Sequence, residues 1–357
     1  MSEMLSVNTL AYSVPQSYQL SSLPQPAVSE PTDVVIEVHA SSINPIDVKK
    51  AAGMLKMALK DEFPYKLGYD CAGVVTAVGE QVSRLKIGDE VYVRLPEASR
   101  GAWSEYAKCA ERYVALKPKN LSFEDAASIP LAAMTAYQAL SKYRGSLAGK
   151  TVFVPAGLGG TGSYACQLAK SAFNAGRVIT TVSTAKIPRV PELLGEGIVD
   201  QIIDYTKNDP SEVIPPQSID FMFDTTGDAM KFLSLMTPET STIISISTTP
   251  SGTQLQQADV MQGPSRPQMP WILYIFLNTT DAVRKLRAKR WKVHYEYIFV
   301  ATNAVDLDTL REIVEAGKLV PVIGSRVNFQ KIENVREACR QVYEGRGGLG
   351  KTVISIK

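Results

Sequence analysis

The run Val152-Phe153-Val154-Pro155-Ala156-Gly157-Leu158-Gly159-Gly160-Thr161-Gly162 leads directly into Ser163-Tyr164-Ala165-Cys166-Gln167-Leu168-Ala169-Lys170. Its spacing predicts a buried strand, a glycine turn and the start of an amphipathic helix. Such an arrangement presents unpaired backbone N–H groups and a positive helix end to a pyrophosphate. Gly157, Gly159, Gly160 and Gly162 can each serve a sharp turn, close approach of the ligand to the main chain, or tight helix–strand packing. Glycine-rich strand-to-helix turns also occur where nothing binds, so the loop has to be weighed with its surroundings.

The next strand says which dinucleotide would suit. NAD sites place a carboxylate at its end, about 20 residues after the loop, to accept the ribose hydroxyls. Here the sequence reads Thr180-Thr181-Val182-Ser183-Thr184-Ala185-Lys186, with Arg189 close behind and no acid. Hydroxyls at Ser183 and Thr184 together with Lys186 suit a 2′-phosphate, which favours NADPH. The competing reading makes Lys186 and Arg189 solvated charges at a helix start. Thr225 and Thr226 follow Ile219-Asp220-Phe221-Met222-Phe223-Asp224 at the carboxyl end of a predicted parallel strand, where open α/β sheets hold ligands.

These residues need a scaffold, and the periodicity supplies one. Val34 to Ala40 alternates apolar and polar residues as a half-buried strand does, and short strands follow at Gly73–Gly79 and Glu90–Val93. From about residue 124 helical patterns begin, and after the glycine loop strands recur at 177–182, 200–204, 219–224 and 242–246, the pattern of βαβ units on a parallel sheet. A strand at Tyr297–Val300, a helix over Leu307–Ala316 and a strand at Thr352–Ile356 close the chain.

A chain of 357 residues exceeds one ordinary core. Its 38 basic and 36 acidic side chains are too balanced to imply a nucleic-acid partner. Cys71, Cys109, Cys166 and Cys339 are widely spaced, as reduced thiols would be. Without a secretory leader pattern or a run of roughly 20 apolar residues, the expected location is cytoplasmic.

The order of several motifs resembles the zinc-independent quinone oxidoreductase-like and enoyl reductase-like branches of the medium-chain dehydrogenase/reductase family. The carriers are Asn44-Pro45-Ile46-Asp47-Val48-Lys49, Leu67-Gly68-Tyr69-Asp70-Cys71-Ala72-Gly73, the Ile87-Gly88-Asp89-Glu90 turn, the glycine loop, Ile203-Asp204-Tyr205-Thr206 and Phe223-Asp224-Thr225-Thr226-Gly227. The resemblance implies a GroES-like, mainly β substrate domain from residues 1–125 and 298–357. Between them, over 126–297, it implies a Rossmann domain with an irregular segment at 248–292. It also implies that Asn44, Thr135, Phe299 and Val300 line the nicotinamide and its ribose, that Tyr205 covers the 2′-phosphate, that Lys351 lies near the pyrophosphate, and that the protein is a homodimer. Zinc-dependent relatives carry Gly-His-Glu where this chain has Gly68-Tyr69-Asp70, and His39 and His294 are the only histidines, so no metal is expected. His39 falls on the polar face of its strand and is expected to face solvent.

The implied reaction passes hydride to the β-carbon of an enone, enal or enoyl group, or to a quinone, with NADPH carrying the chemistry. The developing oxyanion then needs a donor. Asn44 and Tyr69 are the catalytic candidates; some relatives carry a tyrosine shortly after Asn-Pro, where this chain reads Lys49-Lys50-Ala51-Ala52-Gly53-Met54, and water is the alternative donor. Two further readings stay open: a cofactor-binding accessory or membrane-associated scaffold, and a non-redox enzyme using the same pocket. The apolar run Trp271–Leu277 followed by Arg284, Lys285, Arg287, Lys289, Arg290 and Lys292 reads either as an amphipathic element over 264–292 that touches a membrane or lids an apolar small-molecule substrate, or as a surface helix with solvated charges.

Overall fold

The computed structural model describes residues 2–261, 268–345 and 348–357. Its first third is β1 (Glu3–Thr9), β2 (Gln19–Pro24), β3 (Asp33–Ile43), α1 (Pro45–Ala51), β4 (Tyr65–Lys66), β5 (Asp70–Val78), β6 (Glu90–Arg94), β7 (Tyr106–Ala110) and β8 (Val114–Leu116). The long β3 is central: it pairs antiparallel with both β5 and β7. Ile36, Val38 and Ala40 on it are buried while Glu37 and His39 are half-buried, as the alternation predicts. His39 is less open than expected, because its ring lies 4.3 Å from that of Phe123. Burial accordingly lowers its pKa.

Two short helices, α2 (Phe123–Ala127) and α3 (Pro130–Ser141), lead into the α/β part. It contains β9 (Thr151–Val154), α4 (Gly162–Ser171), β10 (Arg177–Val182), α5 (Arg189–Leu194), β11 (Gln201–Asp204), α6 (Pro210–Val213), β12 (Phe221–Asp224), β13 (Thr242–Ser245), α7 (Gly252–Gln257), α8 (Trp271–Arg290) and β14 (His294–Tyr297). Six parallel strands run in the order β11-β10-β9-β12-β13-β14. The order reverses between β9 and β12, which opens a crevice at their carboxyl ends. Thus the molecule combines a GroES-like domain with a Rossmann domain.

The chain ends with α9 (Ala304–Glu315), β15 (Ile323–Asn328), α10 (Ile332–Tyr343) and β16 (Lys351–Ser355). β16 pairs antiparallel with β3 and parallel with β15, so the last strands extend the first sheet. One core is continuous from Ala72 and Tyr92 of that sheet, through Ala133 and Ala136 of α3, to Val152 and Val154 of β9. The Tyr92 hydroxyl donates to the Leu307 carbonyl at 2.6 Å and ties β6 to α9.

Two expectations change. The strand placed at Tyr297–Val300 ends at Tyr297, where its partner β13 also ends. The segment at 248–292 is largely helical rather than irregular: Ser251 and Gln254 form a reciprocal capping box that starts α7, and α8 runs for 20 residues after Pro270. Residues 264–267 of the expected contact element lie outside the described residues. No helix among the described residues is long and apolar enough to cross a membrane.

The loop between α1 and β4 is anchored by Lys50. Its fully buried ammonium lies 2.7 Å from Asp61 Oδ1 and 2.6 Å from Glu97 Oε1. Arg100 also pairs with Glu97. Removing one partner of such a group strands the other charges. Lys50→Ala should therefore lower unfolding free energy by about 3–5 kcal/mol in urea titrations. Adding Glu97→Gln should recover part of that loss, and equal stability of Lys50→Ala and the parent would refute the assignment.

Candidate active site

The glycine loop turns where β9 ends. Ala156 holds a left-handed φ of 56°. A Cβ on Gly157 would come 2.0 Å from Thr180 Oγ1 of β10, and one on Gly162 would come 2.3 Å from the Ala156 carbonyl oxygen. Both glycines are therefore dictated by packing of the turn against its strand and helix. Gly160 is different: its added Cβ would come no nearer than 3.2 Å to the flexible stem of Lys351 and 3.6 Å to the Gly350 carbonyl oxygen. Gly159 forms a bridge with Gly350, whose N–H donates to the Leu158 carbonyl at 2.8 Å. Thr161 precedes α4, so the turn opens onto the helix amino end.

Beyond β10, Ser183 and Thr184 begin the next turn. Thr184 Oγ1 donates to Asp204 Oδ2 at 2.5 Å, and Thr206 donates to Asp204 Oδ1 through both its hydroxyl, at 2.6 Å, and its N–H, at 3.0 Å. These donors lower the Asp204 pKa. The end of β10 has no acid of its own, yet pairing with β11 brings this carboxylate beside it. Its oxygens are engaged by hydroxyls of the turn. Lys186 Nζ reaches the Gly348 carbonyl at 3.0 Å, and Tyr205, which follows Asp204 in the chain, is largely exposed.

The other end of the crevice is a buried polar junction. Asn44 precedes Pro45 of α1, and its backbone N–H donates to Asp47 Oδ2 at 2.6 Å. Its Nδ2 donates to Asp70 Oδ2 at 2.9 Å, while its Oδ1 accepts from Lys351 Nζ. The same ammonium lies 3.3 Å from the Ile43 carbonyl and 3.9 Å from Asp70 Oδ2. Asp70 also accepts from Ser42 Oγ at 3.2 Å and, through Oδ1, from the Leu131 N–H at 3.0 Å, in the first turn of α3. Burial drives the Lys351 pKa down against the pull of Asp70 and Asp47, and drives the Asp70 pKa up against Lys351 and the Asn44 amide.

The remaining candidates are spread around this junction. Thr135 Oγ1 bonds back to the Leu131 carbonyl at 2.6 Å. Thr225 Oγ1 donates to the Pro155 carbonyl at 2.8 Å, across the crevice between β12 and the loop after β9. The Thr226 and Gly227 N–H groups donate to Asp224 Oδ1. Phe299 packs edge-on to Tyr297 with ring centres 5.0 Å apart, and Val300 packs against the Rossmann core. Tyr69 stands apart: it is fully buried, its hydroxyl donates to Glu97 Oε2 at 2.6 Å, and Arg94 covers its ring. That phenol already has an acceptor and no open face. Sequence reading gave no role to Asp47, Asp70 or Arg94, although Asp47 and Asp70 lie within the motifs that signalled the site.

Asp47 is completely buried, and burial pushes its carboxyl up to about 8. The folded protein thus retains a proton that the unfolded chain releases in the ordinary carboxylate range. Stability should fall as pH rises from that range to about 8, and Asp47→Asn should flatten this slope in chemical denaturation. An unchanged slope would refute it. The glycines give a second expectation: Gly162→Ala should weaken dinucleotide binding at least about tenfold or impair folding, whereas Gly160→Ala should fold normally, by fluorescence titration and thermal melts.

A zinc ion does not fit this junction. The groups converging there are a carboxamide, a carboxylate and a buried ammonium, with no imidazole or thiolate. The pyrophosphate of a dinucleotide fits the chemistry of the glycine turn, which opens onto the amino end of α4 with the Lys351 side chain beside Gly160.

Profiles of two families match the chain: the alcohol dehydrogenase GroES-like domain over residues 30–119 and the zinc-binding dehydrogenase over residues 199–354. The 2-methylene-furan-3-one reductase of Solanum lycopersicum is 41% identical over 217 residues, covering 59% of this chain and 54% of that enzyme. The chain thus matches about half the length of that relative. The mitochondrial NAD(P)H oxidoreductase RTN4IP1 of Bos taurus is 32% identical over 355 residues, covering 93% of this chain and 83% of that protein. The quinone oxidoreductase of Coxiella burnetii superimposes with a TM-score of 0.80 at 26% identity, over all of both chains. The expected cytoplasmic location is overturned by these matches, since the RTN4IP1 proteins, which align along nearly the whole chain, are named as mitochondrial. Excluding a secretory leader and a membrane span does not exclude an organelle. Taken with the Rossmann and GroES-like sheets, these matches show that the chain belongs to the medium-chain dehydrogenase/reductase family, in its quinone oxidoreductase-like and enoyl reductase-like branch.

Proposed function

We propose that this protein is an NADPH-dependent reductase that works without zinc on an apolar small molecule bearing an activated C=C bond or a quinone. What carries the reading is the meeting of the glycine turn with Lys351 and Asn44 at the mouth of the β9–β12 crevice. The names of two relatives, a furanone reductase and a quinone oxidoreductase, support the substrate classes. Residues 1–125 and 298–357 form the substrate side in this reading, and residues 126–297 the cofactor side.

A bound nicotinamide dinucleotide supplies the hydride. The amides of Gly160, Thr161 and Gly162 hold its pyrophosphate at the start of α4, with the Gly159 N–H tying the turn to the Ala156 carbonyl at 2.8 Å and Gly157 letting it close on β10. Ser183, Thr184, Lys186 and Tyr205 receive the 2′-phosphate, with Lys186 giving the positive charge that a phosphate needs and a ribose hydroxyl does not. Thr135, Thr225, Thr226, Phe299 and Val300 shape the nicotinamide end. Asn44 is fixed from both sides, by Asp70 and Lys351, so its orientation is set before any ligand arrives. The cluster of Leu55 and Leu59 with Leu255, Met261, Leu273 and Phe299 joins the two sides as an apolar wall. It favours a hydrophobic substrate.

Titration by fluorescence should show tighter binding of NADPH than of NADH. Lys186→Ala should raise the NADPH Kd at least about tenfold while changing the NADH Kd by less than about twofold. The protein should oxidise NADPH with members of a panel of enones, enals and quinones. Binding of NADPH without turnover across the panel would favour an accessory or non-redox role, and failure to bind either dinucleotide would sink the proposal.

A further inference from the structure

The helix α8 buries Leu277 and Ala288 yet carries a second apolar stripe toward solvent. Toward the protein it presents Asp281, which is buried and pairs with Lys285 at 2.7 Å, and Asn278, which accepts from the Thr253 N–H at 3.3 Å. Arg284 reaches inward to the Thr249 carbonyl at 2.7 Å. Outward it presents Trp271, Ile272, Ile275, Phe276, Val283 and Leu286, each between 53% and 71% exposed. Their spacing places them along one side of the helix, over about four turns. An apolar stripe of this length on the solvent side of a helix marks a binding surface.

The stripe has charge at one end only. The helix carries Arg284, Lys285, Arg287, Lys289 and Arg290 against the single acid Asp281. Arg287, Lys289 and Arg290 are exposed and have no acidic partner among the described residues. Trp271 opens the helix and the exposed Trp291 follows its end. On the neighbouring loop, Leu55, Ala58 and Leu59 pack with Leu273 and Leu277 of α8, and the same loop exposes Met54 and Met57. The surface is a convex ridge with aromatic ends and free cations.

We propose that this face of α8 docks on an anionic lipid surface, lying in the plane of the interface. A helix of this kind buries its apolar side chains among acyl chains while the cations meet lipid phosphates, and tryptophan favours the boundary between the two. A second copy of the chain fits less well. Packed antiparallel, the cationic turns would face the apolar turns of the partner; packed parallel, they would face each other. Neither supplies the anions that Arg287, Lys289 and Arg290 lack. Beneath the ridge, Leu273 and Tyr274 pack in the cluster that contains Phe299, so the docked face would lie over the apolar wall of the cleft and let a lipid-soluble substrate enter from the membrane. That last consequence rests on the reductase reading; the docking does not.

The test is sedimentation of the full chain with vesicles of phosphatidylcholine alone or with about 30% phosphatidylglycerol, at low and high salt. Binding should appear with the anionic vesicles and drop at least about fivefold at high salt. The I272S/I275S/F276S variant should lose at least about tenfold in partitioning, with circular dichroism and NADPH titration unchanged from the parent protein. K289E/R290E should abolish the preference for anionic vesicles. Absence of vesicle binding by the parent, or equal binding by the triple variant, would overturn the proposal. So would a triple variant that converts a dimer to a monomer in light scattering while vesicle binding is unaffected, because the face would then belong to a second copy. NADPH titration reports separately on the cofactor site, so its failure and the failure of docking are distinct results.

Discussion

Asp70 is the point at which four parts of the chain meet. Its carboxylate takes hydrogen bonds from Ser42 on β3, from Asn44 before α1 and from the first turn of α3, and Lys351 on β16 lies within 3.9 Å. A buried carboxylate in this position must be surrounded by donors, since an unmet charge there would cost several kcal/mol. Meeting that requirement fixes the end of β3, the start of α3 and the place of β16 together.

Lys351 links the junction to the cofactor loop. Its stem passes Gly160 and its ammonium ends on Asn44, so one side chain runs from the glycine turn to the expected nicotinamide end. The main chain around it adds the Gly159–Gly350 bridge. A cation buried in this way responds to the charges beside it, and the arrival of a pyrophosphate would shift the balance that now ties it to Asn44.

A second buried network, centred on Glu97, organises the opposite wall. Lys50, Arg100 and Tyr69 converge on its carboxylate, and its N–H donates to Asp259 Oδ2 at 3.0 Å. Asp259 also pairs with Arg94 at 2.7 Å, and Arg94 donates to Thr302. The segment that carries α7 and α8 is thereby locked to the substrate side of the cleft.

Most of the elements were legible in the sequence because their signals are short-range. The alternation in β3, the run of β9 into α4 and the spacing of β10 to β13 each depend on neighbours a few residues away, and packing leaves Gly157 and Gly162 no alternative residue. The helix α7 was missed because Pro and Gln break the apolar period there while a capping box restores the helix, whereas α8 agrees with the surface helix read for the run after Trp271. Chemistry at the ends of the chain was only partly visible: Asn44 and Lys351 could be picked out singly, but not as partners. Tyr69 looked available until the fold placed Glu97 against its hydroxyl, and β10 looked free of acid until β11 brought Asp204 alongside. The sequence by itself determined the two sheets and the glycine turn between β9 and α4. Only the tertiary structure decided which buried charges neutralise one another, because that depends on distances between segments that no local pattern encodes.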